Sequence, residues 1–372
     1  MFLLNELLVA SPLLIYVGFR LRKLIARRFL KNAFTVFFLL LVLAYPLAED
    51  LSHRSANGWA LNLSMAGYYA LPLLLYLVLI IIPCDIIIGL LRLLKVISRE
   101  TVRSSCFRLT RLCLMLAVPA MIVAAGILNY HHLRIQEYSI EVPRKSSEIK
   151  QLRIVFAADF HLGQLTGDHF MESFVAKVNA LNPDIVLIGG DVLEDYRQDE
   201  ETDRFAALFR KVQSKFGLYG VPGNHEGYRG ITADFFLKAG IRLLQDEVEK
   251  IDGAFYLAGR NDRRSRSKKS VAELLRNTPD DRPVILLDHR PVDFDQVSNS
   301  HVDIQFSGHT HHGQLFPLNF ITQRRYELSW GYKKKRQTHF FVTSGVQIWG
   351  PPVRTAGASE ILVVDVSFHD PG

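Results

Sequence analysis

The stretch VDIQFSGHTHHGQ, residues 302–314, joins a mostly apolar run to a loop that carries three histidines in four positions. The apolar run is typical of a buried strand, and the glycines that bracket the histidines indicate a loop at the end of that strand. If the loop is extended, His309 and His311 point to one side and His312 points to the other. Two neutral imidazoles directed at one point favour a metal site. A polar loop with incidental histidines is the alternative.

Four further stretches repeat this pattern of an apolar run followed by polar residues. They are LRIVFAADFHLGQ (152–164), PDIVLIGGDVLED (183–195), FGLYGVPGNHEGY (216–228) and RPVILLDHRPVDF (282–294). Between the first two, apolar residues recur at helical spacing, at Phe170, Phe174, Val178 and Leu181. Alternating strands and helices predict an α/β fold, in which ligands bind at the carboxyl ends of the strands. The polar clusters are therefore expected to converge on one site.

The order of these clusters resembles the calcineurin-like metallophosphoesterase family, whose signature is D-x-H, G-D, G-N-H-[DE], a lone His and G-H-x-H. The matching positions are Asp159 with His161, Asp191, Asn224 to Glu226, His289, and His309 with His311. The resemblance covers roughly residues 150–365 and is stronger still to bacterial membrane-associated members, which have several spans before the domain. Two positions depart from the usual pattern, since His312 replaces a glycine and Asp288 stands where serine often precedes the lone histidine. Neither departure removes a metal ligand.

The resemblance implies an α/β fold with four layers, two mixed β-sheets flanked by helices, preceded by an α-helical transmembrane region. It also implies two divalent metal ions. The first would be held by Asp159, His161, Asp191 and His311, and the second by Asp191, Asn224, His289 and His309. Asp191 would bridge the two, because a carboxylate can span cations about 3.5–4 Å apart and an imidazole cannot. Mixed nitrogen and oxygen ligands suit Mn, Fe, Zn or Co, and the three cysteines all lie at or before residue 113.

Four further residues acquire expected roles from the resemblance. His225 would face the phosphate rather than a metal, where it would stabilise charge or protonate the leaving oxygen. Glu226 would orient His225 from behind, with a plain ion pair as the alternative. His312 would lie outside the metal ligands, toward the substrate. Arg354, in the closing stretch TSGVQIWGPPVRTAGASEI (343–361), occupies its expected place and is a candidate for substrate contact.

Residues 1–130 hold almost unbroken apolar runs, whereas residues 131–372 have the composition of a soluble α/β protein. A spanning helix needs about 20 mostly apolar residues. Four candidates are present, at Leu3–Phe19, Ala33–Ala48, Leu71–Leu94 and Leu112–Tyr130. A signal peptide is a poor alternative, because the first basic residue, Arg20, follows the apolar run. The expected organisation is a transmembrane region of about four helices over 1–130, a connecting strand and linker over 131–150, and a catalytic domain over 151–372.

The basic residues between the spans predict an orientation. Six lie between the first and second spans, and six lie in the stretch 92–111, which covers the end of the third span and the loop before the fourth. Only Arg54 lies between the second and third spans. The positive-inside bias therefore predicts a multi-pass protein of the cell (inner) membrane with its catalytic domain on the outer or periplasmic side.

The positive charge of the chain belongs to the membrane part. The 13 Lys/Arg and 5 Asp/Glu up to residue 130 give +8, which leaves −1 for the remainder of the total of +7. Because the soluble part is near neutral, no nucleic-acid partner is expected. The charged stretch GRNDRRSRSKKS, residues 259–270, is typical of a solvated surface loop.

These features favour a membrane-anchored, two-metal phosphohydrolase that cleaves phosphomonoesters or phosphodiesters by attack of a metal-activated hydroxide. Its expected partners are membrane lipid and a phosphorylated substrate, lipid-linked or derived from the envelope, with no obligate protein partner. One alternative is a lipid-precursor pyrophosphatase of the UDP-diacylglucosamine type, which the outward orientation disfavours. The other is a catalytically inactive membrane sensor or scaffold, in which lost ligands would be expected.

Overall fold

The computed structural model describes residues 2–54, 58–163, 166–194, 200–229, 233–262 and 268–370, without the side chains of 2–9, 48–54, 58–61 and 227–229. The chain divides into two compact units. The first comprises residues 1–128 together with 350–355, and the second comprises residues 129–349 together with 356–372.

The first unit is helical. Its helices are α1 (Phe2–Leu24), α2 (Arg28–Arg54), α3 (Gly58–Leu93), α4 (Arg99–Arg103) and α5 (Ser105–His131). Within the described residues, three segments are long and apolar enough to cross a membrane, at Arg28–Leu47, Asn62–Leu93 and Ser105–His131. They contain most of the second, third and fourth predicted spans. The first predicted span, Leu3–Phe19, lies in α1, and because the side chains of residues 2–9 are not described, its crossing stays a prediction.

A buried carboxylate joins three of these helices. Asp85 of α3 accepts hydrogen bonds from Arg20 of α1, with 2.7 Å between Nη2 and Oδ1, and from the Tyr16 hydroxyl. Arg111 of α5 forms a second ion pair with the same carboxylate. A charge inside a membrane helix is costly unless it is paired. The two arginines therefore give Asp85 a structural role in packing α1, α3 and α5.

The second unit contains two mixed β-sheets. The first sheet has the order β1-β12-β2-β3-β4-β5, and the second has the order β10-β11-β9-β8-β7-β6. The strands are β1 (Arg134–Pro143), β2 (Gln151–Ala157), β3 (Ile185–Ile188), β4 (Leu218–Gly220), β5 (Ile241–Leu243), β6 (Glu247–Ile251), β7 (Phe255–Gly259), β8 (Val284–Leu287), β9 (Ile304–Ser307), β10 (Gly331–Lys335), β11 (Thr338–Val342) and β12 (Glu360–His369).

The sheets pack face to face and helices cover their outer faces. The rings of Phe156 on β2 and Phe306 on β9 meet between the sheets, with centroids 5.0 Å apart. On the outside of the first sheet lie α6 (Asp168–Ala180), α7 (Glu200–Phe209) and α9 (Ala233–Lys238), and on the outside of the second lie α10 (Val271–Leu274) and α11 (Phe294–Ser298). Two short helices, α8 (Asn224–Arg229) and α12 (Asn319–Arg325), and a 3₁₀ turn (His311–Gly313) complete the unit. The expected four-layer fold is confirmed.

The five apolar runs that precede the polar clusters form β2, β3, β4, β8 and β9. Four of them are buried along their whole length, or nearly so, which explains why they read as continuous apolar runs. The segment expected to connect the membrane part to the catalytic domain forms β1. It pairs in parallel with β12 over its full length, from Arg134 opposite Glu360 to Pro143 opposite His369, and is therefore an edge strand of the first sheet.

Candidate metal centre

The polar clusters meet at the carboxyl ends of the central strands of the two sheets. Strands β2, β3 and β4 of the first sheet bring Asp159, Asp191 and Asn224, and strands β8 and β9 of the second bring His289 and His309. Three groups of side chains offer ligand atoms within 4.8 Å of one another, namely Asp159–His161–His311, His161–Asp191–His225 and Asp191–His289–His309. Residues up to 152 positions apart in the chain thus form one continuous cluster.

The first group is formed by Asp159, His161 and His311. The Nε2 atoms of the two histidines lie 3.1 Å apart, and His311 Nε2 is 3.7 Å from Asp159 Oδ1. Two imidazole nitrogens and a carboxylate oxygen are therefore directed at the same point. This donor set suits a transition metal with mixed nitrogen and oxygen ligands.

Asp191 lies between the two ends of the cluster. Its Oδ2 atom is 3.2 Å from His289 Nε2 and 3.9 Å from His161 Nε2. On the far side, Asn224 Oδ1 is 3.3 Å from His289 Nε2. The carboxylate thus faces one histidine from each of the two predicted ligand sets, the position that a bridging ligand requires.

The backbone around the cluster is held in an unusual conformation. The φ angles of Asp159, His161, Asp191, His309 and His311 are all positive, between 43° and 72°. Such strain in residues other than glycine is found mostly at functional sites, where the surroundings enforce it. Glycines allow the close approach of the loops, since a Cβ at Gly308 would lie 2.4 Å from Asp159 Oδ2 and one at Gly223 would lie 2.1 Å from Asp191 Oδ1.

The charges of the cluster are strongly coupled. Burial opposes charge on His161 and His289, but neighbouring carboxylates prevail and raise the pKa of His161 to about 9 and that of His289 to about 10. Burial, with the positive charges of His289 and Arg290, lowers the pKa of His309 to about 3. Burial raises the pKa of Asp159 to about 6. Since a metal competes with protons for these atoms, binding is expected to release protons and to weaken as the pH falls.

These strand ends and clusters match a known family. The family model for the calcineurin-like phosphoesterase matches residues 152–313. An uncharacterized metallophosphoesterase of Aquifex aeolicus is 30% identical over 262 residues, which cover 67% of this chain and 97% of that protein. The chain belongs to the calcineurin-like phosphoesterase family.

Two other relatives come from a bacterium and from an animal. An uncharacterized metallophosphoesterase of Helicobacter pylori is 34% identical over 57% of this chain. A transmembrane protein with metallophosphoesterase domain from Danio rerio is 31% identical over 73% of this chain. The chain spans 59% of the Helicobacter protein and 66% of the Danio protein.

Glu194 is a member of the site that the sequence analysis did not single out. Its Oε2 atom is 2.7 Å from His161 Nδ1 and 3.2 Å from His225 Nδ1. A carboxylate only accepts hydrogen bonds, so His161 donates through Nδ1, and its Nε2 atom faces His311 and Asp191. The signal was present in GGDVLED, where Glu194 follows Asp191 by three residues.

Glu226 has a different place from the one expected for it. It is buried, and its carboxylate accepts backbone N–H groups from Asp191, Val192 and Gly223 at 2.7–2.9 Å. It therefore fastens the loop after β3 to the loop after β4. The carboxylate found beside the His225 ring is Glu194, not Glu226.

Neither His312 nor Arg354 belongs to the three groups of ligand residues. His312 is buried, with Nδ1 3.2 Å from Ser329 Oγ and its ring 4.9 Å from that of Trp330. Arg354 is fully buried and belongs to the first unit, where its backbone N–H donates to the Gly126 carbonyl at 3.0 Å. Their expected roles toward substrate stay predictions.

The charged stretch 259–270 is not simply a solvated loop. Residues 263–267 lie outside the described residues, but Arg260, Asn261 and Asp262 are buried, so the prediction was wrong for them. Arg260 Nη1 is 2.7 Å from Asp288 Oδ2, and Lys268 Nζ is 2.8 Å from Asp288 Oδ1. These pairs explain how a carboxylate is tolerated at the position before the lone histidine, because a buried charge needs partners.

Proposed function

We propose that the protein is a membrane-anchored phosphohydrolase that uses two divalent transition-metal ions to cleave phosphomonoesters or phosphodiesters. The observation that carries the proposal is the position of Asp191, whose Oδ2 faces histidines of two ligand groups. One ion would be held by Asp159, His161, Asp191 and His311. The other would be held by Asp191, Asn224, His289 and His309. Bound metals of this kind activate water and polarise the phosphoryl group.

His225 is the residue best placed to act on the leaving group. Its ring stands edge-on to that of His161, with centroids 4.7 Å apart, and its Nδ1 is held by Glu194. During hydrolysis the water oxygen forms a bond to phosphorus, the bond between phosphorus and the leaving oxygen breaks, and that oxygen needs a proton. We assign this proton transfer to His225 as general acid, with Glu194 holding the ring in place.

The complete set of ligand residues supports an enzyme rather than an inactive scaffold. Five loops deliver aspartate, asparagine and histidine side chains to one cluster, and all five of the residues with strained backbone described above belong to its three ligand groups. An inactive scaffold would not need these strained backbone conformations, which are found mostly at functional sites. A lipid-precursor pyrophosphatase is the second candidate function, and it requires that the catalytic domain face the cytoplasm.

The proposed activity is tested with the full chain purified in detergent and stripped of metal with a chelator. We expect the stripped protein to be inactive toward p-nitrophenyl phosphate and bis-p-nitrophenyl phosphate, and Mn²⁺, Fe²⁺, Zn²⁺ or Co²⁺ to restore hydrolysis of at least one of them. Elemental analysis should give about two ions per chain at full activity. Hydrolysis that survives chelation, or a fully loaded protein that cleaves neither ester, would refute the proposal.

The proposed outward orientation of the catalytic domain depends on the two basic loops between the spans. In a variant without Cys84, Cys106 and Cys113, a cysteine in place of the exposed Gln296 should react with a membrane-impermeant thiol reagent in intact cells, with any outer membrane made permeable. A cysteine in place of exposed Glu100, in the second basic loop, is the matched control and should react only after lysis. The reverse pattern would place the domain in the cytoplasm and favour the pyrophosphatase.

A further inference from the structure

Arg290 follows His289 directly and contacts a second histidine of the same ligand group. Its Nη1 atom is 3.1 Å from Nε2 of His309, on the neighbouring strand end. Its side chain is 15% exposed, so the guanidinium is largely removed from solvent. A buried cation so close to a candidate metal centre needs an anionic partner.

A buried aspartate holds the guanidinium in place. Arg290 Nε donates to Asp262 Oδ2 at 2.5 Å, and Nη2 donates to Oδ1 of the same carboxylate at 3.3 Å. Asp262 is 1% exposed and follows β7, which neighbours β8 in the second sheet. This two-point contact fixes the plane of the guanidinium and directs Nη1 at the metal ligands.

The contact between Arg290 and His309 is incompatible with a metal on His309. A histidine that holds a metal through one ring nitrogen carries a hydrogen on the other, so neither nitrogen can accept a hydrogen bond. Metal binding would therefore release Nη1 of Arg290, while Asp262 keeps Nε and Nη2. The released donor would face the edge of the site next to His309.

A cleft of about 330 Å³ opens beside this donor. Arg290 and Tyr326 line it, and both also contact His309, since the rings of Tyr326 and His309 have centroids 6.1 Å apart. The cleft therefore adjoins the metal ligands directly. It is large enough for a phosphate group and the first atoms attached to it.

The cleft offers hydrogen-bond donors to an anion. Its two carboxylates are engaged elsewhere, Asp293 with Arg260 at 3.1 Å and Glu327 with lysines of β10 at 2.9 Å. Arg325 also lines the cleft and, among the described residues, has no ion-pair partner. Arg290 is paired with Asp262 through Nε and Nη2, so its donor toward the cleft is Nη1. Arg325 and Nη1 of Arg290 are thus the groups that would receive an anion, and guanidinium groups match the geometry of phosphate.

We propose that Arg290 and Arg325 bind a second phosphate group of the substrate, next to the phosphate held by the metal ligands. The inference rests on the proposed function and narrows its substrates to molecules with two neighbouring phosphates. Arg290 is the specificity-determining residue because Asp262 positions it, and Arg325 adds charge at the outer end of the cleft.

The test measures equilibrium binding of two non-hydrolysable probes to the metal-loaded full chain by calorimetry. Methylphosphonate carries one phosphonate group and methylenediphosphonate carries two. We expect the wild-type protein to bind the diphosphonate at least about 10-fold more tightly, and Arg290→Gln to lose roughly 10- to 100-fold in diphosphonate affinity, the range for one charge-assisted hydrogen bond. Methylphosphonate affinity should change by less than about 3-fold, because that probe does not reach the cleft.

Three further variants control for folding and for general charge. The double variant Arg290→Gln with Asp262→Asn avoids leaving a buried carboxylate unpaired and should show the same selective loss. Arg325→Gln changes an exposed side chain and should weaken diphosphonate binding alone. Its neighbour Arg324, also exposed and outside the residues that line the cleft, gives the matched control Arg324→Gln, which should bind both probes normally.

The outcomes separate this inference from the proposed function. Elemental analysis of every variant should show unchanged metal content. A selective loss of diphosphonate affinity can then be attributed to the cleft. If the diphosphonate keeps its advantage in the Arg290 variants, the metals alone account for it and the inference is wrong, while hydrolysis by the wild-type protein still stands. If the wild-type protein hydrolyses no ester with any metal, the proposed function itself has failed.

Discussion

Asp191→Asn is expected to abolish hydrolysis and to weaken the binding of both metal ions. The Asp191 carboxylate faces both His161 and His289, at 3.9 Å and 3.2 Å from Oδ2. Removing its charge should lower each metal affinity by more than the roughly 10- to 100-fold that loss of an outer partner costs. Asparagine has the same shape as aspartate. Its side-chain oxygen can still accept the hydrogen bond from the backbone N–H of His225, which in the wild-type protein is 2.8 Å from Asp191 Oδ1. The effect should therefore be electrostatic rather than structural.

The measurement is metal content by elemental analysis together with the hydrolysis rate after loading. Asp365→Asn makes the same chemical change on β12, at a half-exposed carboxylate that pairs with Arg153, and should leave metal content and rate unchanged. Two tightly held ions and a near-normal rate in the Asp191 variant would show that this carboxylate does not bridge the site.

His225→Ala is expected to slow hydrolysis by roughly 10²- to 10⁴-fold while both metals stay bound, the range for a general acid. The loss should be larger for an ester with a poor leaving group, because a good one needs no proton. His225 also lies within ligand distance of His161 and Asp191, so the structure leaves a second role open to it. Metal content distinguishes the two roles.

The comparison uses p-nitrophenyl phosphate and phenyl phosphate, which differ in the acidity of the leaving group. His169→Ala, on an exposed residue of α6, is the matched control and should behave as the wild-type protein does. Loss of one ion from the His225 variant would identify His225 as a ligand. An equal loss of hydrolysis rate on both esters would show that His225 does not transfer a proton to the leaving group.

Burial raises the pKa of Glu226, the residue after His225. The hydrogen bonds that its carboxylate accepts from backbone N–H groups partly oppose that rise. This carboxylate illustrates a limit of motif reading. The motif at residues 224–227 indicates that a carboxylate is close to His225, yet the side chain turns away and accepts hydrogen bonds from three backbone N–H groups, two in the loop after β3 and one in the loop after β4. Adjacent residues of a helix such as α8 point in directions about 100° apart, so sequence proximity to His225 does not imply contact with it.

Glu194 and Arg290 show the complementary case. Each adjoins a motif residue in the sequence, but its significance lies in a contact across the fold, between Glu194 and His225 or between Arg290 and His309. Acidic and basic residues in loops are usually solvated, so composition offers no reason to choose these two. In each case the partner follows the neighbouring strand of the same sheet, so the order of the strands in the sheets brings the two residues together.

The strand ends, the ligand types and the apolar membrane segments could all be predicted from the sequence. Buried strands require continuous apolar runs, and metal ligands require particular side chains, so both leave a local pattern. The three-dimensional fold was needed to show that Asp262 directs Arg290, that Arg260 and Lys268 neutralise Asp288, and that β1 pairs with β12 at the edge of a sheet. Those pairings join residues from distant parts of the chain, and their energies depend on distances and burial that no local pattern records.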